Sequence, residues 1–481
     1  MRLPIVRGVV AFIHMTMFQK NIRGSNARLN RTFRMSLLLV ASAVHHSEAQ
    51  ILKARSGSQG LTLNAVYDSV RSNSPLLAAS LARVRSARGG ISSARTWSNP
   101  MISFESQQMT DQPSGMSATQ RETMTTAMIP LEQLYQRGPR IRRAEELKRA
   151  AEADALTQRQ QVALDAADAF YRSALAQVNV DATRSLAQWF DTVVTYNAVR
   201  VREGVTAEAD LIRSELERDH VLNELAIEES ELARARADLQ TFLGNSSDSA
   251  ILRVEVDSLP LNLPINPNFR SAQLRGTARR VAAQSGLAEN LGPVARPELQ
   301  AAEARLLASE AAVASERRLL LREVGAMVGT KTSAGSSSLV AGFTVPFPLL
   351  DQNRGSIASA RAETDAARFE LAQQRRAAKA DLLAAESAAR ILAQRVAMFG
   401  SGGTIGYLNR AAEGRRIALG AYREGGTSLL QVIDAARAWR EARTSYFETL
   451  FAQHRSVISL LVSEGIDVIQ TWPTLRAGAT Q

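Results

Sequence analysis

Residues 202–206 read Arg-Glu-Gly-Val-Thr and residues 423–427 read Arg-Glu-Gly-Gly-Thr, so one short stretch recurs 221 positions along the chain. The same offset brings Gly244 onto Gly465. Three further matches keep the chain order at offsets of 216 to 222: Pro75 with Pro297, Ile129-Pro130 with Val345-Pro346, and Arg137-Gly138 with Arg354-Gly355. Ordered matches at nearly one offset indicate two copies of one structural unit.

Both units predict the same order of elements: a helix, two strands and two long helices. Apolar residues three and four positions apart predict the helices, and alternation such as Leu339, Ala341 and Phe343 predicts strands with two unlike faces. In the first unit we expect helices at 61–94, 137–201 and 207–243, and strands at 101–104 and 122–130 joined by a loop at 107–119. In the second unit we expect helices at 296–319, 355–398 and 427–464, strands at 321–329 and 338–346 around a loop at 331–337, and an interruption at 399–403.

The N-terminus has the pattern of an export signal. Arg31 and Arg34 precede the apolar run 35–44, and small residues at Ser47 and Ala49 predict cleavage after Ala49. The run is too short to cross a bilayer as a helix, which takes about 20 residues. A buried N-terminal helix is the alternative, but a core helix does not require this polarity.

The repeat and the signal together divide the chain into five parts. We predict a signal peptide with an N-terminal extension at 1–49, a first repeat at 50–247, a linking segment at 248–292, a second repeat at 293–468 and a tail at 469–481.

Composition excludes several classes of protein. The mean hydropathy of −0.13 is too low for a protein with many transmembrane helices. The chain has no cysteine, which excludes disulfides, thiolate metal sites and thiol catalysis. Its five scattered histidines predict no metal site, and no catalytic constellation is visible, so we expect neither enzyme activity nor a cofactor. More than half of the net charge of +11 lies in residues 1–50, and interleaved acids elsewhere argue against nucleic-acid binding.

The predicted elements also constrain assembly. Helices of about 60 residues are too long for a compact domain and require coiled-coil-like partners. Four strands cannot close a membrane barrel, which needs about eight or more, and open strand edges within lipid are strongly unfavourable. If these strands span a membrane, several chains must contribute to one barrel.

Two segments resemble the TolC-type outer-membrane efflux proteins. Residues 345–355, Val-Pro-Phe-Pro-Leu-Leu-Asp-Gln-Asn-Arg-Gly, are similar to the family's entry into its second long helix. Residues 422–435, Tyr-Arg-Glu-Gly-Gly-Thr-Ser-Leu-Leu-Gln-Val-Ile-Asp-Ala, are similar to its helix-hairpin tip. The likeness covers about 61–468, and the Asp-Gln-Asn-Arg-Gly form is most similar to the branch that serves heavy-metal export. It implies a mainly α-helical chain with a small β part, in which three chains share one transmembrane β-barrel that continues as a long α-helical barrel.

The resemblance further implies a function and partners. The chain would be the outer-membrane exit duct of a tripartite efflux system, with a large periplasmic portion. Its partners would be two further copies of itself, outer-membrane lipid, a periplasmic adaptor protein and an inner-membrane pump of the resistance-nodulation-division type. The cargo stays open between metal cations, drugs and a secreted protein.

The hairpin tips are the candidate contacts with the adaptor. They comprise Arg202, Gly204, Thr206, Arg423, Gly425, Thr427 and Ser428. Glycine suits the left-handed backbone of a tight turn, and we expect Thr206, and Thr427 or Ser428, to cap the helix that follows each turn.

The candidate duct constriction lies just after the second tip. In the family, acidic residues there form rings that narrow the entrance and favour cations. The matching positions in this chain are Gln431 and Asp434, so one of the two acids is replaced, and Asp210 is the first-unit equivalent of Gln431. Three copies of Asp434 around one axis would still make an electronegative constriction.

A different class of protein stays open as the alternative. An exported periplasmic coiled-coil scaffold without channel activity would share the signal and the long helices, but its strands would not enter a membrane.

Overall fold

The computed structural model describes residues 60–109, 120–244, 253–254, 296–322, 324–333, 335–401 and 404–472. The predicted signal peptide and most of the linking segment lie outside these residues. The first half contains α1 (Leu63–Asn73), α2 (Pro75–Arg95), β1 (Met101–Met109), β2 (Gln120–Pro130), α3 (Gln133–Arg202) and α4 (Glu208–Leu243). The second half contains α5 (Pro297–Arg318), β3 (Gly325–Ser333), β4 (Ser336–Thr344), α6 (Arg354–Ser401), α7 (Thr404–Arg423) and α8 (Leu429–Ser463).

The order predicted for the two units is confirmed, with two differences: the first helix is divided, and α7 lies where no helix was predicted between 403 and 427. The single helix predicted at 61–94 is wrong, because the chain breaks it at Ser74 into α1 and α2. Pro75 lacks a backbone N–H and disfavours the helical conformation of the residue before it. Ser74 takes an extended conformation and its hydroxyl accepts a hydrogen bond from the Leu77 N–H at 3.4 Å, which caps α2.

The strands differ from their predicted bounds. Those of the first hairpin are longer than predicted, and those of the second are displaced, so that most of the predicted loop 331–337 is strand. Ser333 pairs directly with Ser336, and Gly335, just before Ser336, has φ 79°. Apolar alternation did not indicate the strand at polar residues such as Lys331 and Thr332. The backbone hydrogen bonds of a hairpin do not require apolar side chains.

The four strands form one antiparallel sheet in the order β1-β2-β3-β4. β2 and β3 belong to different halves of the chain and pair over eight residues, from Thr123 with Thr332 to Pro130 with Gly325. The two halves are therefore joined through the middle of the sheet, and β1 and β4 are its edges.

Helix α3 is the scaffold of the helical part. Its 70 residues correspond to roughly 105 Å, and it packs against α2, α4, α5 and α8. Pro139 lies inside the helix and cannot donate to the carbonyl of Tyr135. The guanidinium of Arg318 donates to that carbonyl instead, so the end of α5 compensates for the hydrogen bond that proline removes.

Burial of apolar side chains concentrates in two main clusters along the helices, besides a small one formed by Ala385, Ala389 and Leu460. The larger one surrounds the middle of α3 and the second half of α8, with Phe170, Phe451 and Ile458 among its fully buried members. The smaller of the two main clusters, built around Phe190, Val432 and Ile433, lies toward the turns at 203–207 and 424–428. Within the described ranges, no helix combines the length and apolar character needed to cross a bilayer.

Asn353 positions the start of α6 within the Asp-Gln-Asn-Arg-Gly motif. It is buried and has a left-handed backbone with φ 53°. Its side-chain amide donates to the Glu316 carbonyl at 2.8 Å and to the Glu316 carboxylate at 3.0 Å. The Arg322 guanidinium donates to its Oδ1 at 2.9 Å. Asn353 thus ties the entry of α6 to the end of α5.

Two substitutions separate the backbone role of Asn353 from its hydrogen bonds. Asn353→Gly keeps the left-handed backbone but loses the side-chain bonds, which should cost about 1–3 kcal/mol. Asn353→Ala also meets the left-handed penalty and should cost about 1–2 kcal/mol more. Thermal unfolding of the purified chain in detergent should therefore give the order wild type, glycine variant, alanine variant. Equal midpoints for the two variants would show that the backbone conformation carries no cost.

Candidate functional site: the hairpin tips and the two-faced sheet

The turn after α3 is a left-handed helix end. Gly204 has φ 75°, its N–H donates to the Val201 carbonyl at 3.0 Å, and the Val205 N–H donates to the Arg200 carbonyl at 2.9 Å. This pair of bonds is the Schellman arrangement, which requires a residue with positive φ. The prediction of a left-handed glycine at this tip is confirmed.

The turn after α7 has the same geometry. Gly425 has φ 77°, its N–H donates to the Tyr422 carbonyl at 3.1 Å, and the Gly426 N–H donates to the Ala421 carbonyl at 2.7 Å. The glycines that end α4 and follow α8, Gly244 and Gly465, have φ 74° and 83°. The pairs aligned by the sequence repeat are therefore paired in conformation as well.

The predicted caps are wrong in part. Ala207 rather than Thr206 precedes α4, and it has no side-chain acceptor. Ser428 occupies the capping position of α8, but its hydroxyl makes no capping hydrogen bond. Thr427 donates to the side-chain oxygen of Gln431 rather than accepting from the backbone. In each of these short turns, the left-handed glycine determines which residue takes the extended conformation just before the next helix. The position of the nearest hydroxyl does not determine it.

The two tips are joined by residues that sequence reasoning did not assign. The Tyr422 hydroxyl donates to Asn197 Oδ1 at 2.8 Å, and the Tyr196 hydroxyl donates to the Arg423 carbonyl at 3.1 Å. The Arg200 guanidinium lies 5.5 Å from the ring of Tyr196 and 5.8 Å from that of Tyr422. Tyr422 lies three residues before Gly425, but Tyr196 lies eight residues before Gly204, so only the fold brings these side chains together.

The three candidate residues of the constriction, two acids and one amide, have different surroundings. Asp434 and Gln431 are exposed on α8, whereas Asp210 is half-buried on α4. Burial raises the pKa of the Tyr422 hydroxyl, and the carboxylate of Asp210 raises it further. Asp210 is therefore a neighbour of the second tip, and Tyr422 stays a hydrogen-bond donor at neutral pH.

Farther along the helices from the tips, ion pairs connect α4 with α8. Arg437 donates to both carboxylate oxygens of Glu217, with its shortest contact at 2.6 Å, and Arg440 pairs with Glu224. A bidentate arginine–carboxylate pair fixes direction as well as distance. The first and second hairpins are thereby held together along their sides as well as at the tips.

The sheet has one apolar face, as the alternation in β4 predicted. The strand register places large exposed apolar side chains from its two edge strands on one side. They are Ile102 (77% exposed), Phe104 (68%), Leu339 (76%) and Phe343 (82%). Ile129 and Val328 of the inner strands share this face, and Arg121 at the loop end of β2 is its one charge among the described strand residues.

The opposite face is polar toward the hairpin turns. Glu122 of β2 pairs with Lys331 of β3 at 2.9 Å and accepts a hydrogen bond from Ser333 at 2.6 Å. Ser103 and Thr126 share a hydroxyl–hydroxyl hydrogen bond of 2.6 Å. An apolar face beside a polar one in each strand is the pattern of a sheet that separates lipid from an aqueous interior.

The described residues hold no group of three or more His, Asp or Glu side chains that could bind a metal ion. Exposed charged side chains on neighbouring helices form ion pairs instead, such as Arg305 of α5 with Asp154 of α3.

Comparisons with known proteins agree on one fold. The outer membrane efflux protein family matches residues 66–245. The cobalt-zinc-cadmium resistance protein CzcC of Cupriavidus metallidurans is 25% identical over 415 residues, which cover 84% of this chain and 90% of CzcC. The solved structure of CusC has a TM-score of 0.65 at 17% identity, covering 84% of this chain and 92% of CusC. The Campylobacter jejuni outer-membrane channel CmeC has a TM-score of 0.67 at 13% identity, covering 87% and 89%.

Long helical hairpins that end in paired tips, joined to a small two-faced sheet, define the TolC-like class of proteins. The chain is similar to the outer membrane efflux protein family over residues 66–245, and to CzcC over most of its length.

The left-handed turn at the second tip gives a matched pair of substitutions. A Cβ on Gly425 meets no atom within 4 Å, so any cost of Gly425→Ala comes from its φ of 77°. Left-handed backbone costs about 1–2 kcal/mol, and hydrogen exchange in the tip should accelerate about 5- to 30-fold. Gly426→Ala lacks positive φ and should leave exchange unchanged. Both variants should keep wild-type exchange in the strands 325–344; a change confined to those strands would contradict the assignment.

Proposed function

We propose that this chain is one protomer of an outer-membrane exit duct in a tripartite efflux system. The observation that carries the proposal is the sheet, whose apolar face is exposed and whose two edges belong to β1 and β4. Strands of 9 to 11 residues match the length that a tilted strand needs to span a bilayer.

Assembly follows from the strand edges. Backbone groups that lack partners in hydrocarbon cost several kcal/mol each, so β1 and β4 must pair with other chains once the sheet enters lipid. The family forms trimers, and three copies would contribute twelve strands to one closed barrel. The apolar faces would then meet outer-membrane lipid, and the polar faces would line the interior.

The helices determine the rest of the arrangement. Helix α3 is roughly 105 Å long and follows β2, at the end of the sheet opposite the hairpin turns. It would carry the duct far into the periplasm. The tips at its distant end are the surfaces that we assign to the periplasmic adaptor protein, through Arg202, Gly204, Thr206, Arg423, Gly425, Thr427 and Ser428. An inner-membrane pump, of the resistance-nodulation-division type in our proposal, would deliver the cargo. The duct performs no chemistry of its own.

Divalent metal cations are the cargo that the relatives favour. CzcC is by name a cobalt-zinc-cadmium resistance protein. Asp434 is exposed just after the tip, so three copies around one axis would form a negative ring that attracts cations. Gln431 on the same exposed face adds no charge, and Asp210 lies beside Tyr422, where it would support the tip rather than line the ring.

Assembly in the outer membrane distinguishes the duct from a periplasmic scaffold. Full-length chain expressed in a Gram-negative host should sediment with outer membranes and, after detergent extraction, migrate as a heat-resistant trimer. Cells that lack the chain should become more sensitive to Co²⁺, Zn²⁺ and Cd²⁺. A soluble periplasmic coiled coil would support the scaffold instead. Trimers without any change in metal sensitivity would retain the duct and remove the metal cargo.

Charge substitutions test the proposed constriction in planar bilayers. Asp434→Ala should weaken the preference for cations and reduce block by divalent ions, whereas Gln431→Asp should strengthen both. The differences should shrink at 1 M salt, where screening shortens the range of exposed charges to about 3 Å. If Asp434→Ala changes neither selectivity nor block, the ring lies elsewhere, and Asp210→Asn is the next variant to measure.

A further inference from the structure

Two arginines near the second tip share one tryptophan ring. The guanidinium carbon of Arg415, on α7, lies 4.0 Å from the ring centroid of Trp439 on α8 and 5.8 Å from that of Trp189 on α3. The guanidinium carbon of Arg443, on α8, lies 5.9 Å from Trp439. These four residues, which we call the arginine–tryptophan cluster, connect three helices.

Both arginines have buried donors that the described chain does not satisfy. Arg415 Nη1 and Arg443 Nε find no hydrogen-bond acceptor among the described residues. Two other arginines of the same two helices are paired: Arg416 with Glu413, and Arg440 with Glu224. A buried donor without an acceptor costs about 1–3 kcal/mol, and more when it is charged.

The two arginines of the cluster also repel each other electrostatically. Burial lowers the pKa of the Arg415 guanidinium, and the positive charge of Arg443 lowers it further. Arginine nonetheless stays charged in proteins, so two like charges lie within 6 Å of the same Trp439 ring. Stacking on indole rings offsets part of the desolvation, but it provides no oxygen acceptor and no negative charge.

We propose that the arginine–tryptophan cluster is a binding site for a carboxylate group. A carboxylate accepts hydrogen bonds from two N–H donors and cancels the repulsion between the arginines. Two positive charges exclude a metal cation as the ligand. A singly charged carboxylate also loses less hydration than a doubly charged phosphate when it enters a partly buried site.

The site is separate from the proposed constriction. Arg443 follows Asp434 by nine residues, which at 3.6 residues per turn places it on the opposite side of α8. A ligand here would therefore bind behind the helix face that carries the constriction acid. It could come from a dissolved organic acid or from an acidic side chain of another protein, and the chemistry of recognition is the same.

Tryptophan fluorescence can report the ligand, because Trp189 and Trp439 are two of the four tryptophans in the chain. We would titrate the full chain in detergent with sodium acetate, and separately with a blocked tetraglutamate peptide, each against sodium chloride at equal ionic strength. Both carboxylate probes should change the emission saturably, and chloride should not. Saturation by the peptide at much lower concentration would identify a protein side chain as the source; equal concentrations per carboxylate would identify a dissolved acid.

Substitutions assign the response to the cluster. Arg415→Gln and Arg443→Gln should each weaken apparent acetate binding about tenfold or more, as expected for a lost hydrogen bond between charged groups. Arg416→Gln is the matched control, since this neighbouring arginine is exposed and already paired, and it should bind as wild type. If a glutamine variant loses its helical circular dichroism, Arg415→Lys keeps the charge without the planar fork and should still weaken binding. No carboxylate-specific response in wild type, or an equal response in Arg415→Gln and Arg416→Gln, would mean that the rings alone satisfy the arginines.

Discussion

A backbone N–H or C=O group in hydrocarbon must find a partner within the protein, and this requirement governs the whole chain. Four strands leave two edges, β1 and β4, that one copy cannot satisfy in lipid. The exposed apolar side chains of Ile102 and Phe343 make sense on the outside of a closed barrel and would be a liability on a soluble monomer. One constraint thus explains why the sheet is small, two-faced and incomplete.

The helices solve a second problem, which is to hold a long structure together without a single core. Burial is strongest in two clusters along α3, and between them and beyond them helices meet through alanines and through ion pairs. Where a local rule is broken, a distant residue compensates. Arg318 replaces the hydrogen bond lost at Pro139, and Glu316 and Arg322 support the left-handed backbone of Asn353. Arg415 and Arg443 are different, because the described chain provides them with no such partner.

Local sequence was sufficient wherever one residue type controls the backbone. The sequence repeat alone aligns Gly204 with Gly425 and Gly244 with Gly465, and all four have φ between 74° and 83°. The long helices were predictable from spacing, since 3.6-residue periodicity persists over many turns. Strand ends were not, because Lys331 and Thr332 look like a loop although their backbone pairs with β2 and β4.

The sequence by itself determined the repeat, the element order, the left-handed turns and the resemblance to efflux proteins, because each depends on residues close together in the chain. Tertiary structure alone decided which residues meet across more than 200 positions. Tyr422 reaches Asn197, Arg437 reaches Glu217, and Arg415 reaches Trp189. Such contacts depend on how two hairpins align side by side, and that alignment is set by the summed packing of the helices and the pairing of β2 with β3. No local pattern records it.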